Sequence, residues 1–107
     1  MGVNFLRIFR RKREETPEVE IVSRRPVGRF KVEKILRVLK RQVLIGEVLE
    51  GLIYPGYKVK GRKAGLIMEI ERNHQKVNFA VAGDRVALML ENEIPCEKGE
   101  TLEVYQS

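Results

Sequence analysis

The chain reads as all-β, a closed antiparallel barrel of six to seven strands behind a short basic N-terminal arm, and three observations predict this. From Phe30 onward short apolar runs alternate with turn residues, and no 3.6-residue period persists over ten residues. Seven such runs fall within eighty residues, which favours closure because a closed sheet leaves no edge to aggregate. The length of 107 residues suits one domain, able to bury about two thirds of its unfolded surface without a covalent staple.

In chain order, residues 1–27 read as the arm and residues 28–107 as the barrel. Asn4 to Arg13 sets Phe5, Leu6, Ile8 and Phe9 on one helical face, with Asn4 suited to capping. Alone this segment is too short for a stable helix. It is expected to pack on its own barrel, enter a partner's groove or lie on a membrane, and all three stay open. Pro17 breaks an acidic stretch, and VEIV after it alternates like a short strand able to join the sheet.

Strands are expected at about 30–39, 43–50, 57–61, 65–72, 76–80, 85–91 and 101–105. Turn chemistry separates them: Lys40 to Gln42, Tyr54-Pro55-Gly56, Arg62 to Gly65, Asn73 to Gln75, Ala82-Gly83-Asp84, and Pro95 to Gly99. Pro55 presets φ for the second position of a turn and Gly56 supplies φ > 0 at the third, so Tyr54 to Tyr57 fits type II. Gly46, Gly51 and Gly56 are five apart, which alternates them across a strand; they read as corners and bulges rather than one ligand-facing ridge.

The net charge of +6 is uneven: residues 1–31 carry nine Lys/Arg against four Glu, and the remainder twelve against eleven acids. A cationic arm on a nearly neutral globule points to RNA, another anionic partner or a membrane face, unless it is simply solvated. One cysteine, Cys96, rules out an internal disulfide and a cysteine-rich metal cluster, and reads as a small apolar residue. No leader and no 18-residue apolar run is visible, so a cytoplasmic location without stable membrane insertion is expected.

Reactive constellations are missing. The sequence holds no G-x-x-x-x-G-K-[ST], no G-x-S-x-G, no H-E-x-x-H and no C-x-x-C. Glu69 and Glu71 share a strand face but read as solvated. No enzyme activity, cofactor, metal or nucleotide is expected, which leaves binding. Arg37, Lys40 and Arg41 near the first hairpin, and Lys58, Lys60, Arg62 and Lys63 around the third strand, are placed to track phosphates, though either group alone reads equally well as a solvated face. Glu91, Glu93, Glu97, Glu100 and Glu103 make the C-terminal part acidic, so a cationic and an anionic side are expected. Tyr54, Tyr57 and Phe79 are available for base stacking, with core packing expected for Phe79.

At Gly46-x-Val48-x-x-Gly51-x-Ile53-x-x-Gly56 the chain resembles the second-domain β-barrel of translational GTPases, as in elongation factor Tu and the selenocysteine-specific elongation factor. Ile70-Glu71, Val77, Ala82-Gly83-Asp84, Val86, Leu88, Leu90, Gly99 and Leu102 continue the match. Gly28 to Gly46, and again Ile67 through Leu90 to Asn92 with Arg72 among them, are also similar to the C-terminal barrel of bacterial initiation factor 2. The resemblance implies a free-standing module that docks the aminoacylated 3′ end of tRNA, or another structured RNA, without hydrolysing GTP. It implies a groove between Val32 to Leu36 and the facing segments Arg72-Asn73-His74 and Gly83-Asp84-Arg85. Glu33 matches an acidic group of the family, whereas Lys34 and Leu36 stand where elongation factor Tu has an acid before a pocket-forming aromatic, and Val86 where initiation factor 2 has a cysteine. Those departures imply a site richer in positive charge and suited to phosphate.

The expected function is therefore RNA binding, with tRNA as the leading partner and the ribosome or a translation protein as further partners. Arg72, His74 and Arg85 are the expected contacts to the 3′ end. The alternative is a protein-interaction adaptor in which the Phe5/Leu6/Ile8/Phe9 face docks a partner, and a third reading attaches the arm to anionic membrane.

Overall fold

A computed structural model describes residues 25–106, and both the Asn4 to Arg13 segment and VEIV lie outside them. Eight strands follow in order: β1 (Gly28–Val38), β2 (Arg41–Ile53), β3 (Lys58–Lys60), β4 (Ala64–Arg72), β5 (Gln75–Val77), β6 (Ala80–Val81), β7 (Arg85–Leu90) and β8 (Thr101–Tyr105). Neighbours run β1-β8-β3-β4-β7-β2, and β2 pairs back onto β1, so six antiparallel strands close a barrel. The other two are appendages: β5 extends β4 and β6 extends β2. Among the described residues there is no helix.

Alternation builds the core. Phe30 and Val32 of β1, Leu44 and Val48 of β2, Ile67 and Ile70 of β4, Leu88 and Leu90 of β7, and Leu102 and Val104 of β8 are fully or almost fully buried. Full burial of one such side chain is worth about 1.5–3 kcal/mol, so the inward rows, not the loops, fix the register. Ile94, in the connection from β7 to β8, joins the same core. Gln42 holds that connection in place. Its amide nitrogen donates to the Ile94 carbonyl at 3.0 Å, and its amide oxygen accepts from the Ile94 N–H at 2.9 Å.

The glycines of β2 explain the closure between β1 and β2. A Cβ on Gly46 would overlap the Lys31 carbonyl oxygen, and the ladder changes register between Val32 and Lys34 beside it. Gly51 has φ +86 and lies against Val27 and Gly28, next to the second register change at Arg29/Phe30. Bulges at these places give the local twist that lets so short a sheet curl onto itself.

Several expected boundaries moved. The strand at 76–80 is two pieces, β5 and β6, separated at Asn78 and Phe79. Phe79 is not in the core but 47% exposed, tilted against Tyr54 at a centroid distance of 6.1 Å, because Ala80 takes the inward position opposite Ile53. Arg41, Gln42, Ala64, Gly65 and Gln75 belong to strands, since the hairpins use only two- or three-residue turns. The expected cationic and anionic sides are not separate: β8 lies between β1 and β3, so Glu103 pairs in register with both Arg29 and Lys60.

Candidate functional site

Outside the core, the same alternation leaves apolar side chains on the outer face of the barrel. Two cross-strand rows run over it: Leu36, Val43, Met89 and Glu69, then Lys34, Ile45, Ala87 and Glu71. Between these rows Leu44, Leu88 and Ile70 point inward. The long β1–β2 hairpin and the β4–β5 hairpin flank the face and leave a groove of about 530 Å³. Its lining combines Leu36, Val38, Val43, Ile45, Val86, Ala87 and Met89 with Glu69, Glu71, Asn73, His74 and Arg85. The groove is thus an apolar surface rimmed by polar and charged groups.

Asn73 and His74 form the turn from β4 to β5, both with positive φ (55 and 65). Two consecutive left-handed residues make the tight hairpin loop whose twist matches the strands. Both side chains border the groove. On the opposite rim Arg85 forms an ion pair with Glu33, joining the start of β7 to β1. Arg72 turns elsewhere and pairs with Asp84 at 3.1 Å; the same carboxylate accepts the Val81 N–H at 2.9 Å and pins the Ala82-Gly83-Asp84 turn. Asp84 is therefore a turn lock.

The structure brings Leu36, Asn73, His74 and Arg85 together, with Glu33 beside them. It does not bring Lys58, Lys60, Arg62 and Lys63 into the groove; they sit on β3 and the turn after it. The remaining cations collect on the β1–β2 hairpin. Arg37 pairs with Glu93 at 2.6 Å, Arg41 donates to the Glu91 carbonyl at 3.3 Å, and Lys34 and Lys40 are exposed. Among the described residues four arginines thus carry carboxylate partners, counting Arg29 with Glu50. These pairs are partly or well exposed, and such pairs contribute about 0–1 kcal/mol. Opening one of the more exposed of them therefore costs little.

Sequence reasoning missed the apolar floor and the two glutamates beside it. The signal was present: Val43 to Ile45 and Val86 to Leu90 are apolar at every position, the pattern of a strand covered on both faces. Glu69 and Glu71 read as solvated, yet both are half-buried along the groove, with the Lys76 ammonium 3.8 Å from Glu69.

Comparison with known proteins places this barrel. The profile described as elongation factor Tu domain 4 matches residues 25–103. The chain belongs to that family. Over 65 residues it is 35% identical to proteins named probable translation initiation factor IF-2 from Pyrobaculum aerophilum and from Pyrobaculum calidifontis, which covers 55% of this chain and 11% of each relative. Among solved structures, GDP-bound aIF5B from Aeropyrum pernix is similar with a TM-score of 0.66 and 25% identity, over 81% of this chain and 16% of that one. The chain is thus a translation-factor barrel domain that spans a small part of the relatives it matches.

Proposed function

We propose that this elongation factor Tu domain 4 barrel binds RNA, and that its ligand is the 3′ end of a tRNA laid in the outer groove. The observation that carries this is the groove itself: an apolar floor in a cavity of about 530 Å³, bordered by Asn73, His74 and Arg85 together with Glu69 and Glu71. Volumes of about 300–1,000 Å³ are typical of sites that hold such groups. The apolar floor of Ile45, Ala87 and Met89 suits an unstacked base or an apolar side chain, and Arg85, the more exposed member of its pair with Glu33, can turn toward phosphate. Lys34, Lys40 and Arg41, on the hairpin beside the groove, supply positive charge for the chain that leads away from the 3′ end. The translation factors that the barrel resembles suggest the ribosome or a translation protein as further partners. The reading assigns the module no nucleotide hydrolysis.

Electrophoretic shift with aminoacylated and deacylated tRNA at two salt concentrations tests this. With about five phosphate contacts, log affinity falls with log salt at a slope of roughly −3.5 to −4.5. Binding no tighter than that of an unrelated protein of equal charge contradicts it.

One observation favours a second reading, a protein-docking role for the barrel. Tyr54, Phe79, Leu52 and Val81 are each 38–47% exposed, and Tyr57 stands edge-on to Tyr54 at 5.5 Å. Aromatic clusters of this kind are enriched in protein interfaces. Loss of a co-purifying protein in Phe79→Ala, with tRNA affinity intact, supports that reading.

A further inference from the structure

The tip of the β1–β2 hairpin breaks the rule that governs such turns. Leu39 and Lys40 form the two-residue loop with φ of 52 and 66, a conformation that Asn-Gly adopts easily and that strains a leucine. The equivalent turn of the β4–β5 hairpin does carry Asn first, at Asn73. Leu39 is also the most exposed large apolar side chain of the described residues, at 89% against 47% for Phe79. Strain and exposure together argue against a role in folding, since a polar residue would serve the turn better and solvate better.

The surroundings name the partner. Lys34, Arg37, Lys40 and Arg41 lie on the same hairpin, and among the described residues the one carboxylate paired with any of them is Glu93, held by Arg37 at 2.6 Å. Proteins that kink DNA push an apolar side chain such as leucine between base steps while cations hold the phosphates on either side, and Leu39 stands at the end of a hairpin that carries both exposed apolar residues, Leu36 and Val38, and these four cations. Regularly spaced phosphates match cations distributed along a hairpin in this way. We infer that Leu39 is a wedge inserted into an RNA stack, with Lys40 and Arg41 on the flanking phosphates. This rests on the RNA-binding reading above and assigns a second contact, at the hairpin tip and apart from the groove.

The two demands on position 39 oppose each other, which supplies the test. In the full chain, Leu39→Asn relieves the turn and changes no charge, so Tm is expected to rise by about 4 °C or more. Affinity for an RNA hairpin with a single-stranded 3′ extension, carrying 2-aminopurine at the junction, is expected to fall about tenfold. Its salt slope stays the same, and the fluorescence rise that reports unstacking disappears. Leu39→Met keeps an apolar tip and is expected to retain both affinity and fluorescence change. If wild type binds this RNA and Leu39→Asn binds it equally well with the same fluorescence change, the wedge is wrong while the RNA-binding reading stands. Wild-type binding no better than a charge-matched control overturns both. Sedimentation with phosphatidylserine vesicles that depends on Leu39, alongside RNA binding that does not, assigns the tip to a membrane surface and overturns the inference.

Discussion

Replacing Gln42 with Met removes an amide while keeping most of its volume, and the structure sets the size of the loss. Gln42 is only 7% exposed, and its amide is the side-chain partner of both the Ile94 N–H and the Ile94 carbonyl. Ile94 is itself 2% exposed, so water does not replace the amide without opening the connection between β7 and β8. Each buried backbone group left unpaired costs about 1–3 kcal/mol. Two of them give about 2–6 kcal/mol, and the buried thioether offsets about a third of this, leaving about 3 kcal/mol. For a domain of this size that lowers Tm by about 12–24 °C. Urea unfolding at 25 °C measures it directly, with Gln75→Met on the exposed β5 as the control, expected to stay within about 0.5 kcal/mol. A loss below about 1 kcal/mol for Gln42→Met, at unchanged m-value, refutes the reasoning.

Gly46→Ala drives a methyl into the Lys31 carbonyl, and because backbone has little room to yield, a loss of at least about 3 kcal/mol is expected in the same urea assay. Arg85→Ala breaks only an exposed pair, so stability changes by less than about 1 kcal/mol while tRNA affinity drops; Glu33→Gln, which frees Arg85, raises affinity in a filter-binding assay. Burial pushes the Cys96 thiol above its ordinary range, with a smaller push from Glu100. The folded chain therefore holds that proton where the unfolded chain has lost it, so the contribution of Cys96 to stability is intact below the ordinary thiol value of about 8.5 and is lost above it, as pH passes the raised value of the folded state. Alkylation by iodoacetamide at pH 8 is accordingly slower for the folded protein than for the same chain in urea.

Much of the barrel was legible because its signals are local. Turn residues such as Pro55-Gly56 and Ala82-Gly83-Asp84 act on their own neighbours, and strand alternation follows from a two-residue period, so both survive without knowledge of the tertiary fold. The Tyr57 N–H does donate to the Tyr54 carbonyl at 3.1 Å, as the type II reading of that turn requires. What escaped was set by partners distant in sequence. Gln42 looked like turn punctuation, because nothing near it announces Ile94, fifty-two residues away. Leu39-Lys40 carries no turn signature at all, so the first hairpin was expected one residue too late. Phe79 looked like core because it is aromatic, yet a two-residue strand gives its inward place to Ala80.

For the candidate site, of the segments that the family resemblance implied, Leu36, Asn73, His74 and Arg85 line the groove, whereas Arg72 and Asp84 pair with each other and Val32 lies in the core. The groove's character did not follow. Lys34 and Leu36 pointed to a phosphate site, whereas the outer rows of β2 and β7 make the floor apolar, a property that appears only when strands are set in register. Ion pairs such as Arg72 with Asp84 are likewise set by register, and they decide which cations remain available to a ligand.

The most direct test of a 3′-end site in the outer groove is an amide chemical-shift titration of the isotope-labelled full chain with a minihelix RNA ending in the tRNA acceptor sequence. Binding in the groove predicts that the largest shifts fall on Ile45, His74, Arg85, Ala87 and Met89, and that they vanish when the terminal adenosine is removed. Shifts confined to Lys58 to Lys63, or to the Tyr54 and Phe79 cluster, contradict it.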